Sequence, residues 1–296
     1  MLRPRDSHDL RLREATLTLT PPALRTRWAH DVSGNSVCYV DWDDARTDVL
    51  RIVSTLDLDH FPPVTDLPLA PAAETYPFSY PPEEAPDLAR ELERHHPDPD
   101  RGVEGWACGF LRDGGPTRTM DMLSAMARAI RSDFAYEVRE EEGTHPPSHT
   151  LTTRRGACRD FALLMMEAAR SLGMAARFVS GYLYDDRVEG SADPVIGGGA
   201  THAWCAIYLP GAGWVEFDPT NGLIAGRDLI RVCTARTPQQ AVPISGAYKG
   251  RPEDFTGLHV HVEVKVGDDP VPGAGGEGAR PPALTTAPPE LATPPV

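Results

Sequence analysis

The sequence predicts an α+β protein, β-rich at its start and mixed later, on three observations. Residues 10–60 alternate apolar and polar side chains at period two, the spacing of half-buried strands. Residues 158–172 instead put Phe161, Ala162, Met165, Ala168, Ala169 and Leu172 on one helical face, and Gly173 supplies a stop. Strand-like runs then follow at 176–184, 202–209, 213–217 and 260–266.

The 296 residues suit one large domain or two modest ones. With 41% hydrophobic and 24% charged residues, the chain can bury a sizeable core. Its 29 Lys+Arg against 43 Asp+Glu give a net charge of −14, which argues against nucleic acid and anionic membrane surfaces as partners. No stretch approaches the roughly 18 apolar residues of a membrane span. The start, Met1-Leu-Arg-Pro-Arg-Asp, has no apolar core for a signal peptide, so the expected compartment is the cytoplasm. The cysteines, at 38, 108, 158, 205 and 233, are odd in number and scattered, with no CxxC. They read as reduced thiols rather than a disulfide framework.

In chain order, residues 1–60 form a β-rich domain, a small β-sandwich with a turn at Ser33-Gly34-Asn35. Residues 61–86 are an extended proline-rich linker, since proline donates no hydrogen bond to a sheet interior; ten of the 30 prolines fall in 60–100. The core spans 87–267. Within it Met122, Leu123, Met126, Ala129 and Ile130 space a helix over 119–134, and 137–149 read as a loop. The Gly/Pro/Ala/Thr-rich residues 268–296, with eight more prolines, are expected to be a disordered tail.

The chemistry concentrates at Arg155-Gly-Ala-Cys158-Arg-Asp160, where a cysteine opens the clearest helix. A helix N-terminus offers free N–H groups and a positive dipole end, which favour a thiolate and help hold an oxyanion. Downstream, Thr201-His202-Ala-Trp204 opens an apolar strand, and Asp218 closes the next in Trp214-Val-Glu-Phe-Asp218-Pro219-Thr220. A nucleophilic thiol needs an imidazole as base, and the imidazole needs a carboxylate to orient it. Antiparallel neighbours would bring His202 and Asp218 together, with the helix laying Cys158 against them.

Gly156-Ala-Cys-Arg-Asp-Phe, Gly173-Met-Ala-Ala-Arg-Phe-Val-Ser-Gly-Tyr, His202-Ala-Trp and Gly213-Trp-Val-Glu-Phe-Asp-Pro-Thr together resemble the transglutaminase-like superfamily. Leu2-Arg-Pro-Arg-Asp with Gly34-Asn35 resembles the N-terminal β-rich domain of its bacterial branch, and the resemblance covers roughly residues 1–265. That domain usually begins one strand earlier than this chain does. The resemblance implies a papain-related fold, with the nucleophile's helix packed on an antiparallel sheet. It implies Cys158 as nucleophile, His202 as general base and acid, Asp218 as orienter, and neither cofactor nor metal. Trp106 and Tyr136 are the candidates for a side-chain oxyanion donor, and Trp204 is expected to border the cleft.

Each residue taken singly has a plainer reading: Cys158 or His202 as core residues, Asp218-Pro219 as a turn initiator, Trp204 and Trp214 as core aromatics. His145 and His149 would mimic a metal pair only on a helix, which Pro146 and Pro147 speak against. Arg154-Arg155 either assists the thiolate or forms a solvated pair, and Glu140-Glu-Glu142 reads as a solvated loop near the cleft. The expected activity is acyl transfer on amide bonds through a thioester, foremost peptide or amide hydrolysis of a peptide or protein substrate. Transamidation by an amine is the alternative within that chemistry; a non-catalytic binding module or a metal-dependent hydrolase lies outside it.

Overall fold

Over residues 10–60 strands form where the alternation predicts them. In the computed structural model, which describes all residues except 62–66, 140, 185–198, 225, 227 and 268–296, β1 (Leu10–Thr20) pairs antiparallel with β4 (Arg51–His60). β2 (Arg25–His30) pairs with β3 (Ser36–Asp41) around a turn that Asp31 ties by accepting the N–H groups of Ser33 and Asn35. Gly34 closes it at φ +77°, and a Cβ there would lie 2.2 Å from Arg5 Nη1. The β-rich start is thus two antiparallel ribbons. The expected tail lies outside the described residues.

The described part of the proline-rich stretch is laid along the core and is not uniformly extended, since Pro71–Ala73 form a 3-10 turn. The Ala70 N–H donates to the Pro210 carbonyl, and the Tyr80 hydroxyl bridges the Ala175 N–H and the Tyr208 carbonyl. β5 (Thr75–Tyr76) then leads to α1 (Ala85–Leu92) and α2 (Gly102–Cys108). β6 (Thr117–Arg118) pairs with β5 and opens α3 (Thr119–Asp133), whose Met122, Leu123, Met126 and Ile130 are buried as their spacing predicts. β7 (Ala135–Tyr136) follows.

The loop expected over 137–149 ends early, because α4 (Pro147–Thr153) begins inside it. Pro147 stands at the first helical position, where a missing N–H costs nothing and the fixed φ suits the helix, so proline starts this helix rather than forbidding it. β8 (Arg155–Gly156) pairs in parallel with β7 and hands the chain to α5 (Cys158–Ser171). Gly173, at φ +77°, ends it.

A five-stranded antiparallel sheet receives α5. Its order is β12-β11-β10-β9-β13, built from β9 (Ala176–Leu183), β10 (His202–Leu209), β11 (Gly213–Asp218), β12 (Leu223–Ile224) and β13 (Leu229–Ala235). Phe161, Leu164, Met165, Ala168 and Ala169 of α5 bury against Cys205, Ile207 and Leu209 of β10. Trp204 and Ala206 join Val179, Leu183 and Leu229 in a second cluster. Two strand expectations change. Residues 260–266 are irregular chain, with Val260 49% exposed and Val262 and Val264 only half-buried, so their alternation builds no strand. The sheet edge is taken instead by β13, whose period is broken by a bulge between Arg231 and Cys233.

Candidate active site

The sheet's hairpin explains why two distant residues meet. β10 and β11 turn back at Leu209 and Gly213, so the start of one and the end of the other share an end of the sheet. His202 opens β10, Asp218 closes β11, and His202 Nε2 lies 2.9 Å from Asp218 Oδ2 with both side chains buried. Cys158, at the first position of α5, contacts the His202 ring and retains 9% exposure, so it is the member that solvent reaches. The structure brings all three residues together.

Each member is fixed by its own surroundings. Asp218 Oδ1 accepts the N–H groups of Thr220 and Asn221, and Oδ2 also accepts Asn221 Nδ2–H at 2.7 Å. Asp218 therefore is a turn initiator and faces His202 at once. Burial would raise its pKa, but the His202 charge and hydrogen bond and Asn221 outweigh burial and hold it below the ordinary carboxylate value. Burial would lower that of His202, yet Asp218 and the Cys158 thiol outweigh it and push the pKa up to about 10. The imidazole is thus set to carry a proton beside the sulfur.

The helix start is held from below by Asp160. Ala157, at the cap, has no side-chain oxygen, so Asp160 three residues on accepts its N–H at 2.9 Å. Fully buried Asp160 also accepts Arg139 Nη1–H and the His145 N–H, each at 2.7 Å. Arg159 donates to the carbonyls of Arg139, Glu141 and Gly143. The two residues after the cysteine therefore clasp the loop beside it. Gly156 is required because a Cβ there would stand 2.9 Å from Asp160 Cβ.

Of the expected oxyanion candidates, Tyr136 reaches the site. β7 sets it opposite Gly156, its hydroxyl contacts the Cys158 thiol, and burial with the nearby sulfur pushes its pKa up to about 12. Trp106, on α2, packs edge-on against Phe110 and Phe134 at 5.0 and 6.4 Å. Trp204 is fully buried, 5.9 Å from the His202 ring at 28°, and donates its indole N–H to Glu216 Oε2 at 2.7 Å. Arg154 lies over the Phe134 ring and Arg155 pairs with Glu137, and both side chains stay exposed, as a solvated basic pair would be. His145 and His149 meet edge to face at 4.5 Å. Glu141 and Glu142 are exposed, and Glu140 lies outside the described residues. Asn221 and Arg231 carry no motif of their own, and Glu216 stands in the Gly213–Thr220 motif without a role being marked; only the spacing of Asn221 from Asp218 hints at its part.

Among the other thiols, burial raises the pKa of Cys38, Cys205 and Cys233, and Cys108 is exposed.

Known proteins give the same assignment to the β-rich start and to the middle of the chain. The sequence profile described as the transglutaminase-like superfamily matches residues 111–219, and that of the bacterial transglutaminase-like N-terminal region matches residues 1–59. An uncharacterized protein of Mycobacterium tuberculosis is 30% identical over 254 residues, 83% of this chain and 79% of the relative. The chain belongs to the transglutaminase-like superfamily. A second relative, from Mycobacterium leprae, is 36% identical over 144 residues, covering 47% of this chain and 48% of its own. Among solved structures, one from Cytophaga hutchinsonii, described as a candidate cysteine protease, superposes with a TM-score of 0.60. That match covers 81% of this chain and 76% of the other at 20% identity, a likeness of fold. In this superfamily member the papain-related arrangement stands as expected: a helix led by a cysteine, packed on an antiparallel sheet, behind a β-rich region. No helix among the described residues is long and apolar enough to cross a membrane.

Proposed function

We propose that this protein is a cysteine-dependent acyl-transfer enzyme that hydrolyses amide bonds in a peptide or protein substrate. The observation that carries the reading is the buried 2.9 Å pair of His202 and Asp218 set against Cys158 at a helix start. The thiolate of Cys158 attacks the amide carbonyl carbon, forming the C–S bond and pushing charge onto the carbonyl oxygen. The Tyr136 hydroxyl, which keeps its proton at neutral pH, and the Cys158 N–H hold that oxygen. His202 Nδ1 then gives its proton to the leaving amine as the C–N bond breaks, leaving a thioester. Water attacks the thioester, His202 takes its proton, and the sulfur leaves. Asp218 keeps the ring in one tautomer and stabilises its charge through both steps. The fold neighbour described as a candidate cysteine protease is in keeping with this chemistry.

Peptide mixtures offered with and without a primary amine, to wild type and to Cys158→Ala, test the reading by product mass. Expected are hydrolysis products with wild type and none with Cys158→Ala. Amine adducts in place of hydrolysis would make transamidation the reaction. Undiminished activity in Cys158→Ala would remove the reading altogether.

A further inference from the structure

One hydrogen bond does not fix an imidazole. His202 is tied to Asp218 through Nε2, while Nδ1 has no hydrogen bond of standard geometry among the described residues. A ring held at one edge pivots about that bond, and a pivot would swing Nδ1 away from the sulfur. What faces the ring is Trp204, near-parallel at 5.9 Å.

Trp204 is itself held on several sides. It is fully buried, and Gly181 of β9 gives way to it: a Cβ at Gly181 would come within 2.6 Å of Trp204 Cη2. Its indole N–H donates to Glu216 Oε2 at 2.7 Å, while Glu216 Oε1 takes Arg231 Nη1. The bulge after Arg231 gives that side chain an aim an unbroken strand would lack. Arg231 Nη2 donates to both oxygens of Asp9, at 2.8 and 3.0 Å. Asp9 belongs to the β-rich start, and its own carbonyl accepts the Phe61 N–H at 2.7 Å.

We propose that the N-terminal β-rich region positions His202 through this relay, with Asp9, Arg231, Glu216 and Trp204 as positioning residues. The inference rests on the triad reading of Cys158, His202 and Asp218. Arg177, stacked on Trp214 at 4.1 Å, is the other cation near Glu216, and Asp218, Cys158 and Tyr136 are the ionisable groups about the histidine site. Asp9 touches none of these last three, so a change there reaches the site only through the chain of contacts.

The test is the rate of Cys158 alkylation by iodoacetamide from acid pH up through about 10, the value to which His202 is pushed, read by mass spectrometry on the full chain. Exposed Cys108 serves as the internal reference. Asp9→Ala and Trp204→Phe, which keeps a ring but drops the indole N–H, should slow Cys158 about tenfold at acid pH, within the usual range of site-to-site coupling. Both should move its pH profile while Cys108 stays unchanged, and Asp9→Glu should restore most of the rate. Profiles of folded Asp9→Ala and Trp204→Phe that overlay wild type would overturn the relay, and if Asp9→Ala does not fold, Trp204→Phe alone decides. Wild-type Cys158 no faster than Cys108 would instead refute the triad reading, and the relay with it.

Discussion

At the residue scale the site depends on opposed shifts in a buried pair. His202 is pushed up to about 10 from an ordinary 6.5, and Asp218 is held below 3.8. A raised histidine stabilises the fold fully below pH 6.5, and that contribution fades as pH climbs through about 10. A lowered carboxylate stabilises above pH 3.8 and loses its contribution as pH falls through its folded value. The stability gap between wild type and Asp218→Asn should therefore be widest between about pH 4 and 6.5 and narrow in both directions. Urea unfolding at stepped pH checks this; a gap still widening above pH 6.5 would contradict the pairing. Tyr136→Phe tests the proposed oxyanion role: kcat should fall about a hundredfold, the usual cost of one donor, with KM little changed. A KM effect alone would make Tyr136 a binding residue. That Cys158, His202 and Asp218 would meet was legible because the helix start, the strand start and the Asp-Pro turn each leave a local signature. Glu216 and Arg231 were not, since their role arises from one hydrogen bond and one bulge, neither encoded in spacing.

At the element scale α5 and the loop beside it behave as one unit. Asp160 serves at once as helix cap, partner of Arg139 and acceptor for the His145 N–H, with no solvent to replace any of these. Its loss leaves a nearly buried guanidinium and two N–H groups without their acceptor. Asp160→Ala should accordingly cost about 3 kcal/mol, the lower end for breaking a buried ion pair. Denaturant midpoints measure the cost, and a loss below about 1 kcal/mol would mean the loop is held otherwise. The sequence shows an acidic residue at the third helical position, which is enough to expect a cap. It does not show what else the carboxylate holds, because Arg139 and His145 lie in a stretch without periodicity. The same stretch hid α4, whose prolines look like breakers until their position at the first turn is known. β13 escaped notice for the converse reason: Arg231 interrupts its apolar run to form ion pairs with Glu216 and Asp9, so a charged side chain masked the strand.

At the scale of the whole molecule, the question is whether the β-rich ribbons melt on their own or with the core. Two-stranded ribbons are marginal alone, so their stability must be borrowed. Asn35 is the strongest sign of where from: at 6% exposure it accepts the Thr234 N–H at 2.9 Å and donates Nδ2–H to the Thr234 carbonyl at 2.7 Å. It thus replaces a missing neighbour strand at the outer edge of β13. The Tyr182 hydroxyl donates to the Leu2 carbonyl and Arg231 bonds Asp9, so three polar contacts join the region to one side of the sheet. Asn35→Ala should leave two main-chain groups unpaired and cost about 2 kcal/mol. If ribbons and core unfold together, circular dichroism and tryptophan fluorescence should shift to lower urea in step, with the slope unchanged. Trp28 and Trp42 report on the ribbons, while Trp106, Trp204 and Trp214 report on the core. A lower slope or two separated transitions would show the ribbons detaching first. In that case the proposed relay expects Cys158 alkylation to fall over the first transition, because the ribbons would carry Asp9 away from Arg231 before Cys158, His202 and Asp218 come apart.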